Sequence, residues 1–466
     1  VYFPDRVVPM LPEILSADKC SLKAGEDRAA MACHLTIDAR GRVTAWRFTR
    51  AIVRLAANIA YEDAQAIVDT HAGAADKTRS SQAQSNDRDS KQSGPVATPL
   101  DKNGAVYDDI LKPLWACWAL LAKARAAREP LDLDLPERRI VLDEKGRIVN
   151  VETRERLDAH RLVEDFMIAA NVAAARALEA KKAPTVYRIH ETPSREKLVA
   201  LKDYLATFDI AFALGQVVRP ATFNRLLDKV TDDTVKPLVM EQVLRSQTQA
   251  YYSPRNQGHV GLALASYAHF TSPIRRYADL LLHRSLVDSH GLEQPKPKND
   301  TVPARSGLSE QDAASLDRIC EAISGFERRA MEAERETVDR YVAAFLATKI
   351  GEIHKVRITG VLNFGFFATI EGFGGDGLVP VSTLGAERYF YDETARTLTG
   401  EDSGTSYHVG QRLEMRLVEA DPISGSVKFA LPEGGMPGSD RTGPPRHRKP
   451  PFKRRGRPAN IRHKSR

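Results

Sequence analysis

Ser266–Arg284 reads SYAHFTSPIRRYADLLLHR, and the rest of the chain is organised around it. Ser272 followed by Pro273 has the form of a helix N-cap with proline at the first helical position. Ala278 to His283 continues as an apolar helix. A helix start leaves backbone N–H groups unpaired and carries partial positive charge, so it can hold an anion. Arg275 and Arg276 add two full charges in that first turn. Arg275, Asp279 and His283 recur every fourth residue, which places them on one helix face. Two readings fit: a corner for a phosphate, or a capped helix whose arginines pair with nearby carboxylates.

Upstream, Arg156 to Ala180 has the pattern of a buried helix. From Phe166 onward (FMIAANVAAARAL) it is apolar and small on most sides. Glu164, Asp165 and Asn171 interrupt it, and buried polar groups need partners. Tyr107 to Arg128 is a second amphipathic helix, with Leu111, Leu114, Trp115, Trp118 and Leu121 on one side. Ala32 to Ile37 and Val43 to Arg54, joined by a turn at Ala39–Arg42, form a hairpin. Arg139 to Leu142 and Gly146 to Val151 form another. Ser194 to Phe208, Ala221 to Val230 and Lys236 to Gln249 read as helices. Residues 72–105 hold almost nothing that could be buried, and they read as a flexible insertion. Downstream, Asp312 to Lys349 is one long amphipathic helix pattern.

At about residue 350 the period changes from helical to strand. Ile353 to Ile370, Gly377 to Ser382, Tyr389 to Tyr391, Leu413 to Glu419 and Ser426 to Leu431 suggest five short strands. That is the pattern of a small closed barrel of the oligonucleotide-binding type. Phe364-Gly365-Phe366-Phe367 sets aromatics around a glycine. Such residues either fill the barrel or stack bases from its surface, and a split between core and surface is expected. After Glu433 the chain is rich in proline, glycine and arginine and cannot build a core.

The 466 residues suffice for two or three domains. No run approaches the roughly 18–20 apolar residues of a membrane span. The net charge of +7 is uneven. Residues 441–466 hold eleven Lys/Arg and no acid, so the rest of the chain is net −4. Cys20, Cys33, Cys117 and Cys320 lack CxxC spacing and fit a reducing cytoplasm better than a disulfide framework or zinc site.

Several long segments agree with one family. VYFPDRVVPMLPEILSADKCSLKAGEDR, RLVEDFMIAANVAAARAL, RNQGHVGLALASYAHFTSPIRRYADLLLHR and GVLNFGFFATIEG with GDGLVPVSTL resemble the ribonuclease II/ribonuclease R family, and its ribonuclease R branch most. The resemblance runs from residue 1 to about 432. It implies a multi-domain chain. Residues 1–349 would be a partial α+β RNB catalytic domain, 350–432 an all-β five-stranded S1-type barrel of the OB fold, and 433–466 a disordered basic tail. It implies a processive, hydrolytic 3′→5′ exoribonuclease that uses Mg²⁺ and releases nucleoside 5′-monophosphates from single-stranded RNA. By motif position Arg275 matches the catalytic arginine at the scissile phosphate. Tyr2 matches the aromatic that stacks on the 3′-terminal base. Glu164 and Glu334 match acidic residues at the terminal nucleotides. Arg276, Tyr277, Phe364 and Phe367 are the further RNA-binding candidates. A cytoplasmic monomer is expected, with the tail available to the ribosome or structured RNA.

The departures from the family matter equally. Its metal site is a cluster of aspartates upstream of the VYFP segment, and this chain starts at Val1. The expectation is therefore a chain truncated at its N-terminus, without metal ligands, inactive alone though part of an active parent. The alternative is a non-catalytic RNA-binding or ribosome-associated protein. Leu133 stands where the family has a second stacking aromatic.

The tail gives a first prediction. Each Lys/Arg that neutralises a phosphate releases counterions, so binding through it is salt-sensitive and largely indifferent to sequence. Deleting residues 441–466 should flatten the dependence of RNA affinity on salt, measured by fluorescence anisotropy across a salt series. An unchanged slope would mean that the tail does not touch RNA.

Overall fold

The computed structural model describes residues 1–80, 105–133, 137–154, 156–214, 218–232, 235–295, 305–372, 374–393 and 395–432. The expected basic tail and most of the expected insertion lie outside them.

The first part of the chain wraps a hairpin and helices around one alanine-rich helix. Strands β1 (Asp27–Ile37) and β2 (Val43–Arg54) pair antiparallel. Their turn is set by Asp38, whose carboxylate accepts N–H groups of Arg40 and Arg42 at 2.9 Å each. Gly41 there has φ +74°, and a Cβ would stand 2.0 Å from the Leu120 carbonyl oxygen. Only glycine lets this turn lie against the neighbouring helix.

Helix α1 (Tyr61–Ser80) follows, a helix the sequence pattern did not suggest. The first residues of the expected flexible insertion continue it. Helix α2 (Lys112–Arg128) comes next, then the hairpin β3 (Glu137–Leu142) and β4 (Ile148–Arg154). Helix α3 (Asp158–Ala180) is the centre of the first core. Its Ala173, Ala174 and Ala177 bring Phe48 of the hairpin close to Leu282 and Leu286. Small side chains let these elements approach one another closely, which larger ones would prevent.

Strand β5 (Tyr187–Ile189) pairs with β6 (Tyr251–Ser253). Between them lie helices α4 (Arg195–Ala206), α5 (Pro220–Asp228) and α6 (Lys236–Ser246), around a core of Leu205, Phe223 and Val239. Ser194 caps α4, its hydroxyl accepting the Lys197 N–H. Helices α7 (Tyr277–Ser289), α8 (Glu310–Ala314) and α9 (Leu316–Ala347) complete this part.

Strands β7 (Ile353–Leu362), β8 (Gly365–Ile370), β9 (Asp376–Pro380), β13 (Arg412–Asp421) and β14 (Ser426–Ala430) close a barrel in the order β13-β14-β9-β8-β7. The five-stranded barrel is as expected, but two of its expected parts are not. Ile353–Ile370 is two strands, because Leu362 pairs with Gly365 across a tight turn. Gly365 has φ +147°, and a Cβ there would meet the Val379 carbonyl oxygen at 2.2 Å. Tyr389–Tyr391 is not a barrel strand. It lies in β10 (Tyr389–Asp392), which with β11 (Thr397–Gly400) and β12 (Ser406–His408) forms a separate three-stranded sheet between β9 and β13.

Helix α9 belongs to both parts. Leu316 and Cys320 near its start pack with Val186, Tyr252 and Leu281. Val342, Ala343 and Leu346 near its end lie in the barrel's own hydrophobic core. Gly375, with φ +99°, leaves room for Leu346, whose Cδ1 would be 2.9 Å from an added Cβ.

This junction should respond to a cavity. Leu346 is fully buried, and Leu346→Ala should cost about 2–5 kcal/mol, read as a fall in the midpoint of urea unfolding. A loss below about 1 kcal/mol would show that the end of α9 is not part of the barrel core.

Candidate active site

The TSPIRR stretch is a turn that precedes the helix, which corrects the capped-helix reading. The carbonyl of Ser272 accepts N–H groups of Arg275 (3.2 Å) and Arg276 (3.1 Å). Helix α7 starts only at Tyr277, with Arg276 extended before it at φ −129°, ψ 120°. The cause is Asp279. Its carboxylate is 0% exposed. It accepts the Ser272 N–H at 2.7 Å and both Nε and Nη2 of Arg276 at 2.8 Å. A buried carboxylate needs such partners, and gathering them folds residues 272–276 back on the helix start. Arg275 therefore does not share a helical face with Asp279 and His283.

The two arginines divide the two readings between them. Arg276 gives its Nε and Nη2 to Asp279, which leaves less of its guanidinium open to RNA. Arg275 is exposed and has no hydrogen bond or ion pair through its side chain among the described residues.

Around this turn lies a partly buried cluster of rings and cations. Arg188 lies over the Tyr252 ring at 4.7 Å and pairs with Glu327 at 2.5 Å. Tyr252 Oη is 2.9 Å from Nδ1 of His269. Burial, with the charges of Arg276, Arg188 and Arg275, holds His269 well below the ordinary imidazole range. His259 stacks on His190 at 5.1 Å and is pushed down to about 3, first by burial and then by His190. Sequence reasoning missed Arg188 and Tyr252, which sit in three-residue strands with no motif. His269 stood in the quoted stretch and could have been found by its place beside Phe270.

The remaining expected residues fall at several places. Tyr2 is 53% exposed, and its backbone N–H donates to Glu334 on α9 at 2.6 Å, so these two are brought together. Glu164 pairs with Arg156. Asp165 accepts Trp118 Nε1–H at 3.0 Å and Arg125 at 3.4 Å, which is the structural role expected of a buried acid. Tyr277 is exposed at the start of α7. In the barrel, Phe366 is fully buried while Phe364 and Phe367 are exposed, their rings edge to face at 6.4 Å. Leu133 packs against the α4–α6 core.

The acids named above do not form a magnesium site. Asp279, Asp165, Glu164 and Glu327 are each paired with an arginine. Among the described residues no three His, Cys, Asp or Glu side chains are placed to hold a metal. Nor is any helix among them long and apolar enough to cross a membrane.

Comparisons agree with this two-part architecture. Residues 1–289 match the RNB domain family, and residues 348–430 match the S1 RNA binding domain family. The chain belongs to the RNB family and carries an S1 domain behind its RNB domain. Ribonuclease R of Escherichia coli (strain K12) is 35% identical over 431 residues, 92% of this chain and 49% of the relative. Ribonuclease R of Aquifex aeolicus is 33% identical over 433 residues, 93% of this chain and 56% of the relative. The chain thus spans about half the length of the curated relatives it matches. Mycoplasma genitalium RNase R, solved in complex with ribose methylated single-stranded RNA, superposes with a TM-score of 0.75 at 25% identity. That match covers 92% of this chain and 62% of that one. Yeast Ssd1, a pseudonuclease, shares the fold at a TM-score of 0.58 and 17% identity, over 85% of this chain and 44% of that one.

The buried histidines give a pH dependence. His190, His259, His269 and His283 are all lowered in the folded chain, with burial the first cause. In the unfolded chain these imidazoles bind protons near pH 6.5. The unfolded state then holds more protons, so stability falls as pH drops below about 6.5. The urea midpoint should be lower at pH 5.5 than at pH 7.5. An equal or higher midpoint at pH 5.5 would refute the assignment.

Proposed function

We propose that this chain is the RNA-holding and phosphate-contacting part of a processive, hydrolytic 3′→5′ exoribonuclease that releases nucleoside 5′-monophosphates. The observation that carries the reading is Arg275, an unpaired, exposed guanidinium on a turn fixed by the buried Asp279–Arg276 pair. A guanidinium in that setting can hold a phosphate through two parallel hydrogen bonds. It also stabilises the extra negative charge that develops on the phosphoryl oxygens during hydrolysis.

Other residues then take the substrate along the chain. The exposed ring of Tyr2 offers a stacking platform for the 3′-terminal base. Glu334 fixes the backbone of Tyr2 and presents an acceptor for sugar hydroxyls beside it. Glu164 offers a second acceptor on α3, and Tyr277 lies beside Arg275. Phe364 and Phe367 stack bases of the same strand on the barrel, where affinity comes from ring faces and is tolerant of sequence. Single-stranded RNA is the substrate in this reading. Hydrolysis needs a divalent cation, in our reading Mg²⁺, and among the described residues no three His, Cys, Asp or Glu side chains are placed to hold it.

A second reading has its own support, since Asp279, Asp165, Glu164 and Glu327 are each already paired with an arginine and a pseudonuclease shares the fold. One experiment separates the two. The full-length protein that contains this chain is incubated with 5′-labelled RNA and Mg²⁺. Progressive shortening from the 3′ end is expected, with Arg275→Ala slowing it about 10²- to 10³-fold. RNA that is bound but left uncut would support the pseudonuclease reading and sink the enzyme.

A further inference from the structure

The turn that carries Arg275 has no ladder of its own to hold it. Residues 270–276 are in neither helix nor strand, yet the backbone on their N-terminal side is gripped by a buried and a half-buried side chain from two different helices. Asn171 of α3 is 2% exposed. Its Oδ1 accepts the N–H of Phe270 at 2.8 Å, and its Nδ2 donates to the Tyr267 hydroxyl at 3.0 Å. His283 of α7 donates Nε2–H to the carbonyl of Phe270 at 2.7 Å, and its ring stacks on Phe270 at 4.6 Å. Both polar groups of one residue are thus bound by side chains, and Asp279 takes the Ser272 N–H two residues later.

Burying an amide and an imidazole is unfavourable unless each is hydrogen-bonded. Apolar residues would fill the same space more simply. What Asn171 and His283 add is direction: they fix the Phe270 peptide groups relative to both α3 and α7. Phe270 itself is anchored in the core against Phe48, edge to face at 5.3 Å. The side chain at the far end of this clamped segment, with no hydrogen bond or ion pair of its own among the described residues, is Arg275. An arginine must be held within a fraction of an ångström to meet a reacting phosphate in line.

We propose that Asn171 and His283 are positioning residues for Arg275. This rests on the exoribonuclease reading above. The test is a double-mutant cycle in the full-length protein, read as the single-turnover rate of shortening of 5′-labelled RNA. Asn171→Leu and His283→Phe should each slow cleavage about 10- to 100-fold. His283→Gln, which keeps an N–H donor at similar reach, should recover most of the rate. In an Arg275→Ala background, Asn171→Leu and His283→Phe should have almost no further effect. Hydrogen exchange should show faster amide exchange confined to residues 266–276. Losses of the same size with and without Arg275, or exchange spread through α3, would overturn the proposal in favour of general destabilisation. An Arg275→Ala variant that cleaves as fast as the parent would instead refute the functional reading, and this inference with it.

Discussion

A carboxylate without access to water cannot stay charged alone. Asp279 is such a group, and its need for partners organises the region around it. The Arg276 guanidinium and the Ser272 N–H satisfy it. The pair occupies one guanidinium, while that of the preceding residue, Arg275, makes no hydrogen bond or ion pair among the described residues. Without Asp279, Arg275 and Arg276 would be equivalent cations on a frayed helix start. With it they are chemically distinct, one bound to a carboxylate and the other exposed with no such partner among the described residues.

The long helix α9 supplies the second constraint. It shares hydrophobic core with the first part of the chain at one end and with the barrel at the other. It also presents Glu327 to Arg188 and Glu334 to Tyr2 from its middle. A single rigid element thus sets how the exposed barrel aromatics stand relative to the turn of Arg275.

Much of this was legible in the residues. The alanine-rich run of Arg156–Ala180 announced a buried helix, and the change of period near residue 350 announced the barrel. Phe366 and Phe367 divided between core and surface as strand alternation requires, and Phe364 is exposed because it stands in the turn before β8. What failed was local. Ser272-Pro273 has every sign of a helix start, but the side chain of Asp279 seven residues on competes for the Ser272 N–H and wins. Tyr389–Tyr391 has strand composition, and nothing local says that its partner is β11 instead of a barrel strand. Arg188, Tyr252 and Asn171 matter through contacts made at long range, which spacing along the chain cannot reveal.

The bond from the Tyr2 N–H to Glu334 joins residues 332 positions apart. Loop closure over such a separation is entropically unfavourable until the intervening cores have formed. At a synthesis rate of about 5–20 residues per second, Tyr2 waits many seconds for its partner to be made. A nascent chain therefore holds Tyr2 apart from the acid that fixes its backbone. The contact is made late, after the cores that lie between its two residues in the chain.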